Sequence, residues 1–322
     1  MFKKMLALLT VMCLVLSFAA CVNDNADTPT TEAGTQDVTD SAVLGEDDFA
    51  WYVSAGAGMG ATLNMASEKQ AYALTDKATF LANEANLDLE ILLEKGDDMK
   101  NTYSLIAVNA DAFDESVGIN TQGANDLIDW MLSSDALSLI AVYGTDNYGQ
   151  NLFTVDEAYA DLVTDILPEK EQDAVEEPEN NVIRLSTTTS VNDSGLLPYL
   201  MEYFEAATGY TVEIASAGTG AAISAAEKGE ADLLLVHAKA SEEEFINKGF
   251  GVKRIPFMYN FFVVVGPEND PAQIADCENA GQAFRKIAEA KSEFISRGDN
   301  SGTHKAELKI WKAIEIAVPT AE

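Results

Sequence analysis

Hydrophobic residues follow strand-like and helix-like spacing in turn along most of the chain beyond residue 48. Continuous apolar runs or period-two alternation predict four strands in the second half, at 181–186, 210–216, 231–238 and 261–267. Helical spacing predicts helices between and after them, at 195–209, 218–230, 241–249 and 280–291. Strands that alternate with helices of about a dozen residues are typical of βαβ units and a parallel sheet. The pattern therefore predicts an α/β protein.

The first half repeats this alternation less clearly. It predicts helices at 57–69 and 77–85, strands at 70–76, 89–95 and 101–109, and one or two helices within 124–144. Ser241 precedes a run of acids and is the expected N-cap of the 241–249 helix. Two acidic, polar stretches, 22–48 and 156–181, flank the first half and are predicted to be a disordered tether and a coil linker.

Composition limits the possible partners. The chain has 53 Asp and Glu against 20 Lys and Arg, a net charge of −33. A surface this acidic repels nucleic acid and anionic membranes, so any bound anion needs a local pocket of positive potential.

The first 21 residues have the pattern of a secretory signal. Lys3 and Lys4 precede an apolar run, and Cys21 follows two alanines in a sequence that resembles a lipobox. We expect cleavage before Cys21 and lipidation on it, with the protein outside the cytoplasmic membrane or in a periplasm; an ordinary signal peptide is the alternative. Cys13 would leave with the signal and Cys21 would carry the lipid, so Cys277 would be left unpaired and neither a disulfide framework nor a cysteine metal site is expected.

Candidate chemistry lies where three predicted strands run into helices, at 186–195, 216–220 and 296–303. Each junction offers hydroxyls, glycines and the free N–H groups of a helix N-terminus, where the helix dipole favours an anion. Plain helix capping explains any one of them, but the third also contains Arg297, one of only four arginines. Because ligands collect at the carboxyl ends of strands in open α/β sheets, the three junctions together predict one anion site.

Signatures of catalysis are weak. The glycines of 51–63 match neither a dinucleotide fingerprint nor a Walker A loop, and the chain lacks a G-x-S-x-G elbow. His237 ends an apolar strand and is interpreted as a satisfied structural residue, whereas His304, beside the Arg297 loop, could line the site as a neutral donor. Asp299 has no evident partner acid, so paired-carboxylate catalysis is not supported. An enzyme is therefore not expected, and no cofactor is predicted.

Several long motifs resemble one family. The segments "TTTS" (187–190), "SRGDNSGTHKAELKIWK" (296–312) and "WYVSAGAGMGATLNMASEK" (51–69) are similar to the tungstate-binding solute receptors of ABC importers. The resemblance covers most of 49–155 and 182–317. It implies a two-lobed periplasmic-binding-protein fold of the second type, each lobe a mostly parallel sheet flanked by helices. It also implies a membrane permease as partner.

The resemblance also implies the binding residues and an unusual chain order. Hydroxyl, backbone and guanidinium donors are expected from Thr187, Thr188, Thr189, Ser190, Thr219, Arg297, Ser301, Gly302, Thr303, Ser54, Ala55 and Gly56. In the family the TTTS half comes first, whereas here it comes second, which suggests a circular permutation; a misjoined gene is the alternative. Lobe A would then comprise 98–155 plus 182–254, and lobe B 49–97 plus 255–322.

A site made of donors alone favours an anion that carries no proton, because a ligand O–H would be left unpaired at a cost of ~1–3 kcal/mol. Tungstate, molybdate and sulfate meet this condition at neutral pH. Hydrogen phosphate would need an acceptor, which Asp299 could supply, so phosphate is the nearest competitor. Two other classes stay open at this point: an enzyme acting on phosphate or sulfate esters, and a rearranged product that binds nothing.

Overall fold

A ten-stranded mixed sheet runs through the part of the chain that the computed structural model describes, residues 49–94, 96–170 and 175–319. The strands are β1 (Tyr52–Ser54), β2 (Tyr72–Asp76), β3 (Glu90–Leu93), β4 (Lys100–Ala107), β5 (Thr154–Val155), β6 (Val182–Thr188), β7 (Thr211–Ala217), β8 (Leu233–Val236), β9 (Ile255–Gly266) and β10 (Phe294–Ser296). The predicted signal segment, its Cys21 and the acidic tether lie outside the described residues.

Eleven α-helices lie in the described residues. They are α1 (Met59–Lys69), α2 (Lys77–Asn83), α3 (Thr121–Met131), α4 (Ser134–Val142), α5 (Thr145–Tyr148), α6 (Thr189–Asp193), α7 (Leu196–Thr208), α8 (Thr219–Glu227), α9 (Lys239–Asn247), α10 (Ala280–Ala290) and α11 (Gly302–Ala313). Among the described residues, no single helix has the length and apolarity to cross a membrane; the pair Thr121–Met131 and Ser134–Tyr148, bent by 57°, passes that test only when taken together.

The strand order is β1-β10-β2-β9-β4-β8-β6-β7, with β3 and β5 also paired to β9. Two groups of strands are parallel, β1-β10-β2 at one end, hereafter the β10 side, and β8-β6-β7 at the other, the β6 side. Between them β9 is antiparallel to β2 and β4, and β4 is antiparallel to β8. The α/β prediction is confirmed, but the sheet is mixed rather than mostly parallel because β9 continues from one side into the other.

Both faces of the sheet are covered, which explains its continuous apolar runs. In β9, Phe262 and Val264 belong to one buried cluster, while Val263 and Val265 belong to another. The side chains of β2 also alternate between the two clusters: Tyr72 belongs to the first and its neighbour Ala73 to the second. Since successive strand residues point to opposite faces, burial of both faces favours apolar residues at most positions of a strand.

Side-chain caps fix where several helices begin. Asp76 accepts a hydrogen bond from Thr79 N and caps α2, and Ser301 accepts one from His304 N and caps α11. The prediction that Ser241 caps a helix is wrong, because α9 begins two residues earlier, at Lys239. The Ser241 hydroxyl instead accepts a hydrogen bond from Lys305 Nζ at 3.0 Å.

The acidic linker is partly ordered, which corrects the expectation of coil. Glu157–Leu162 form a 3₁₀ helix, and Tyr159 packs against the core beneath it. Ser134 Oγ, at the start of α4, donates to the Leu162 carbonyl, and Thr164 N donates to Ser138 Oγ. These contacts hold the linker against α4. Tyr159 and Val163 pack partly against the core, whereas Leu162, Ile166 and Leu167 are exposed.

Candidate functional site

The carboxyl ends of both parallel strand groups carry polar side chains. On the β10 side, Ser54 pairs with Ser296 in register, so β1 and β10 end together. On the β6 side, Thr188 pairs with Ala217, so β6 and β7 also end together. We call the polar cluster formed at these ends the strand-end site. It contains the three junctions singled out from the sequence.

Arg297 lies at the centre of the β10 side of the site and is 3% exposed. Its Nη2 and Nε both donate to Asp299 Oδ2, at 2.5 and 3.1 Å. Asp299 Oδ1 accepts a hydrogen bond from Ser301 N at 3.0 Å. Burial raises the pKa of the Asp299 carboxyl, but its hydrogen bonds with Ser301 and the charge of Arg297 outweigh this, and the net pKa is lowered. Asp299 is thus an ionised acceptor whose two oxygens are used within its own turn.

The two sides of the sheet meet at the start of α11. A Cβ on Gly218 would lie 3.5 Å from Ser301 Cα, and a Cβ on Gly302 would lie 2.4 Å from Cε1 of His237. The α8 N-terminus therefore faces the α11 N-terminus, and the His237 ring rests on the Gly302 backbone. A side chain at position 302 would separate the two sides, which explains why glycine stands there.

The TTTS segment contributes buried hydroxyls from the β6 side. Thr188 Oγ1 lies 3.2 Å from Ser190 Oγ, which also lies 3.1 Å from the Tyr103 hydroxyl. Thr187 Oγ1 donates instead to the Leu235 carbonyl, so its hydroxyl is used within the sheet. Thr189 is half-buried in the first turn of α6. Of the four residues, Thr188 and Ser190 are the ones whose side chains join the polar cluster.

Two hydroxyls in the site are buried without a hydrogen-bond partner within the described part of the chain. They belong to Thr219, the first residue of α8, and Thr303, the second residue of α11. Both residues are at most 1% exposed. A buried hydroxyl that lacks a partner costs about 1–3 kcal/mol, so such groups usually serve a ligand or water. The start of α8 and the start of α11 thus each carry one buried hydroxyl that is free to bind a ligand.

The Ser54–Gly56 segment is placed differently from the other predicted residues. Ser54 and Gly56 are exposed, and the Ala55 N–H already donates to the Ser296 carbonyl at 2.8 Å. The Ser54 hydroxyl packs on Gly298, where a Cβ would approach Ser54 Oγ to 1.8 Å. Gly298 also has φ +61°, a conformation that favours glycine. The segment therefore borders the Arg297 turn, with the Ala55 amide unavailable as a donor.

Burial and charge act together on the titratable groups of the site. Burial raises the pKa of Asp76, while its hydrogen bonds with Thr79 and the charge of Arg297 oppose that rise. Burial and the charge of Arg297 lower the pKa of His237 to about 3, so this imidazole is neutral at physiological pH. The interpretation of His237 as a satisfied structural residue is wrong, since its Nδ1 has no partner among the described residues.

Sequence reasoning missed two residues of this cluster, Asp76 and Tyr103. Asp76 ends β2 and caps α2, so it stands at a strand-to-helix junction of the kind already singled out. The stretch "LTDKAT" could have been recognised by that criterion. Tyr103 lies inside β4, and its contact with Ser190 joins residues far apart in the chain, so no local pattern indicates it.

The mixed α/β sheet carries facing helix N-termini at its strand ends, which is where α/β proteins that bind small ligands hold them. The sequence profile of the PBP superfamily domain matches residues 18–135 and 174–321, more than half of the chain. The chain therefore belongs to the PBP superfamily.

Individual relatives match shorter stretches. The tungstate-binding protein TupA of Peptoclostridium acidaminophilum is 49% identical over 136 residues, 42% of this chain and 48% of that protein. The protein of the same name from Campylobacter jejuni is 39% identical over 123 residues, 38% of this chain and 45% of that protein. A solved structure of the tungstate ABC transporter from Geobacter sulfurreducens is 45% identical over 44% of this chain and 60% of that one, with a TM-score of 0.41. The matched part thus spans less than half the length of the two TupA proteins.

Proposed function

We propose that the strand-end site binds tungstate, or a similar tetrahedral oxyanion, for delivery to an ABC importer. The observation that carries this proposal is the pair of unpartnered hydroxyls of Thr219 and Thr303, which lie at facing helix N-termini next to the buried Arg297. Helix N-termini supply partial positive charge, and a guanidinium adds a full one. The names of the relatives agree with this ligand class.

The binding residues proposed are those expected from the sequence. The Arg297 guanidinium would contact the anion with the groups of Ser301, Gly302 and Thr303 on the β10 side. The β6 side would add Thr219 and the TTTS residues Thr188, Thr189 and Ser190. Ser54, Ala55 and Gly56 would border the ligand through side chain and backbone rather than through the Ala55 amide, which is already bonded.

The supply of acceptors favours an anion without protons. Asp299, the acceptor that hydrogen phosphate would require, uses Oδ2 for Arg297 and Oδ1 for Ser301 N. These three bonds occupy most of the roughly four lone-pair positions of the carboxylate, so a P–O–H group would have at most one acceptor position left on Asp299. Tungstate, molybdate and sulfate all carry no proton at neutral pH. The names of the relatives support placing tungstate first, with molybdate next and phosphate as the remaining alternative of the same fold.

Secretion and membrane attachment complete the proposal. Solute receptors of ABC importers act outside the cytoplasmic membrane, and the signal pattern with Cys21 supports export followed by lipid anchoring. The importer's permease would be the protein partner.

We also propose that the chain is a circular permutation with two lobes, 98–155 plus 182–254 and 49–97 plus 255–322. Its support is that residues from both ends of the described chain share one core. Trp51 and Trp311 lie with ring centroids 5.5 Å apart, and Phe49 and Val318 belong to the same cluster. Because these two segments lie so close together, a short connection could join them in a chain of the other order, and the new ends would then lie in the 156–181 linker.

Calorimetry with a panel of oxyanions tests the function. Purified residues 22–322 should bind tungstate one to one, with molybdate close behind and sulfate and phosphate much weaker. Arg297→Ala should lose about 2–4 kcal/mol of binding free energy, because it removes a desolvated charge contact. Arg285→Ala removes an exposed arginine and is the matched control, expected to bind as the wild type does. Binding of phosphate without tungstate would reject the ligand, and unchanged affinity in Arg297→Ala would reject the site.

A second candidate, hydrolysis of phosphate or sulfate esters, draws on one contact: Ser190 Oγ lies 3.4 Å from His237 Nε2. Two features oppose it. The pKa of His237 is lowered to about 3, which makes it a poor general base. Within the described residues, its Nδ1 also has no carboxylate partner of the kind that orients the histidine of a catalytic triad. Turnover of generic phosphate and sulfate esters would separate the two functions. A rearranged product that binds nothing is the remaining alternative, and calorimetry addresses it directly.

A further inference from the structure

His304 is held in one orientation by the turn that carries Arg297. The Asn300 N–H donates to His304 Nδ1 at 3.0 Å, and Asn300 itself has φ +57°, so the turn folds back onto the ring. A ring nitrogen that accepts a backbone N–H bond carries no proton. In the neutral imidazole the proton is therefore on Nε2.

The proton-bearing nitrogen has no partner within the described residues. His304 Nε2 is buried and unbonded, and the whole residue is only 3% exposed. Its neighbour Thr303 has an unpartnered hydroxyl, and Thr219 carries another on the facing helix. Thr219, Thr303 and His304 thus supply three buried donors that lack a partner among the described residues, all in the first turns of the facing helices α8 and α11. Such a set is satisfied by one group that brings several acceptor oxygens.

We propose that His304 Nε2–H is a neutral hydrogen-bond donor to the bound oxyanion and a determinant of its affinity. This inference rests on the proposed function and adds a residue to that site. A neutral donor strengthens anion binding without adding charge, and the Asn300 bond holds the ring in its donating tautomer. Burial lowers the pKa of His304, with the charges of Asp299 and Arg297 acting in opposite directions, so the ring stays neutral near pH 7.

Two substitutions of His304 each remove one of its hydrogen-bonding functions and keep the other. Asparagine carries its amide at the distance of Nδ1, so His304→Asn retains an acceptor for the Asn300 N–H and removes the donor at Nε2. Glutamine reaches the position of Nε2, so His304→Gln retains a donor there and loses the bond to the turn. A role confined to stabilising the turn therefore predicts more damage from Gln, whereas a role in binding predicts more damage from Asn.

Calorimetric titration with tungstate, at fixed pH and salt, is the measurement. We expect His304→Asn to weaken binding roughly tenfold or more, because a hydrogen bond to a charged group is lost. His304→Gln should stay within a few-fold of the wild type, and urea unfolding without tungstate should show His304→Asn as stable as the wild type. Equal affinities of wild type and His304→Asn, or a larger loss in His304→Gln, would overturn the proposal.

A spectroscopic measurement uses the unaltered full chain. In ¹⁵N-labelled wild type, saturating tungstate should protect the His304 Nε2 proton from exchange with water and shift its resonance; a resonance that does not respond would contradict the proposal. Titrating the wild type and Arg297→Ala with tungstate separates the proposed function from the role of His304. Tungstate binding that depends on Arg297 but not on His304 overturns this inference alone, whereas a wild type that binds no oxyanion overturns the proposed function and this inference with it.

Discussion

Glu307 is a buried residue whose carboxyl has a pKa close to neutral pH. It lies one turn beyond Thr303 on α11 and is 1% exposed. Its Oε1 accepts hydrogen bonds from the Tyr52 hydroxyl at 2.6 Å and from Trp311 Nε1 at 3.2 Å. Burial raises its pKa to about 7, although the bonds from Tyr52, Ser296 and Trp311 oppose the rise. This residue joins β1, β10 and α11 below the strand-end site.

The stability of the protein should therefore fall as pH rises through Glu307's titration. The folded pKa, about 7, lies above the usual value near 4.3, so the folded state binds the proton more tightly. The contribution is full below about pH 4.3 and is lost by pH 7, a change of roughly 3 kcal/mol. Glu307→Gln should show a smaller decline than the wild type in urea unfolding between pH 4 and pH 8. Glu289→Gln, at an exposed position, is the control, and parallel profiles of wild type and Glu307→Gln would refute the assignment.

Gly302 should tolerate no side chain if the two sides must close on the ligand. An alanine Cβ would lie 2.4 Å from the His237 ring, so Gly302→Ala should weaken tungstate binding by roughly tenfold or more, because overpacking costs about 1–3 kcal/mol. Gly60→Ala meets no heavy atom within 4 Å and should bind as the wild type does. Calorimetry compares the two. Full affinity in Gly302→Ala would show that the contact with His237 is not needed for binding.

The residues predicted from sequence fall into two physical kinds. Arg297, Ser301 and Thr303 can be singled out from the sequence because a strand, a turn and a helix start can be recognised along the chain; their role in binding stays a prediction. His237 was misjudged because its environment is set across the sheet, by Gly302 and Arg297, and no local pattern reports a partner so distant in sequence.

At the scale of elements, α3 is tied to the strand that carries TTTS. Asn120 caps α3 by accepting a bond from Gly123 N at 2.9 Å. Its Nδ2 donates to the carbonyls of Asn180 and Val182, where the linker enters β6. One buried side chain thus fixes the start of a helix and the start of a strand.

Asn120→Ala should therefore destabilise the fold without weakening the site. Loss of the cap and of two bonds to carbonyls should lower the free energy of unfolding by roughly 2–4 kcal/mol. Asn120→Asp keeps the cap acceptor but places a buried carboxylate oxygen against the two carbonyls, so its loss should be at least as large as that of Asn120→Ala. Urea unfolding measures both variants, and calorimetry with tungstate should show unchanged affinity. A marked loss of affinity in folded Asn120→Ala would mean that α3 positions the ligand residues after all.

Strand β9 shows where pattern-based prediction of elements stops. The apolar run predicted a strand at 261–267, but β9 spans Ile255–Gly266. Its first half contains Pro256 and Asn260, which interrupt the apolar pattern. Asn260 is nevertheless buried, because its Oδ1 accepts a hydrogen bond from Asn101 Nδ2 on β4 at 2.8 Å. A polar pair that bonds across two strands cannot be recognised from either strand alone, and the Asn260 Nδ2 group has no hydrogen-bond partner among the described residues.

At the scale of the whole molecule, the order of the chain is open to direct test. A rearranged chain running 182–322 and then 46–157 should fold and bind tungstate like the natural order, since Trp51 and Trp311 are already in contact. Deleting 22–98 should abolish binding although TTTS and the Arg297 turn remain, because β1 and β2 are removed from beside β10. Circular dichroism and calorimetry report both outcomes. Aggregation of the rearranged chain beside a functional natural one, or tight binding by the deletion, would refute the permutation.

The place of β10 between β1 and β2 has a consequence during synthesis. A ribosome makes β1 and β2 first, yet the strand that joins them consists of residues 294–296, close to the end of the described chain. The other neighbour of β2, β9, is also made late. Until then both early strands have open edges, which are prone to aggregation, and their pairing spans a long stretch of sequence, which slows folding. The edges of β1 and β2 are therefore exposed to pairing with other copies of the chain until residues 294–296 have been made.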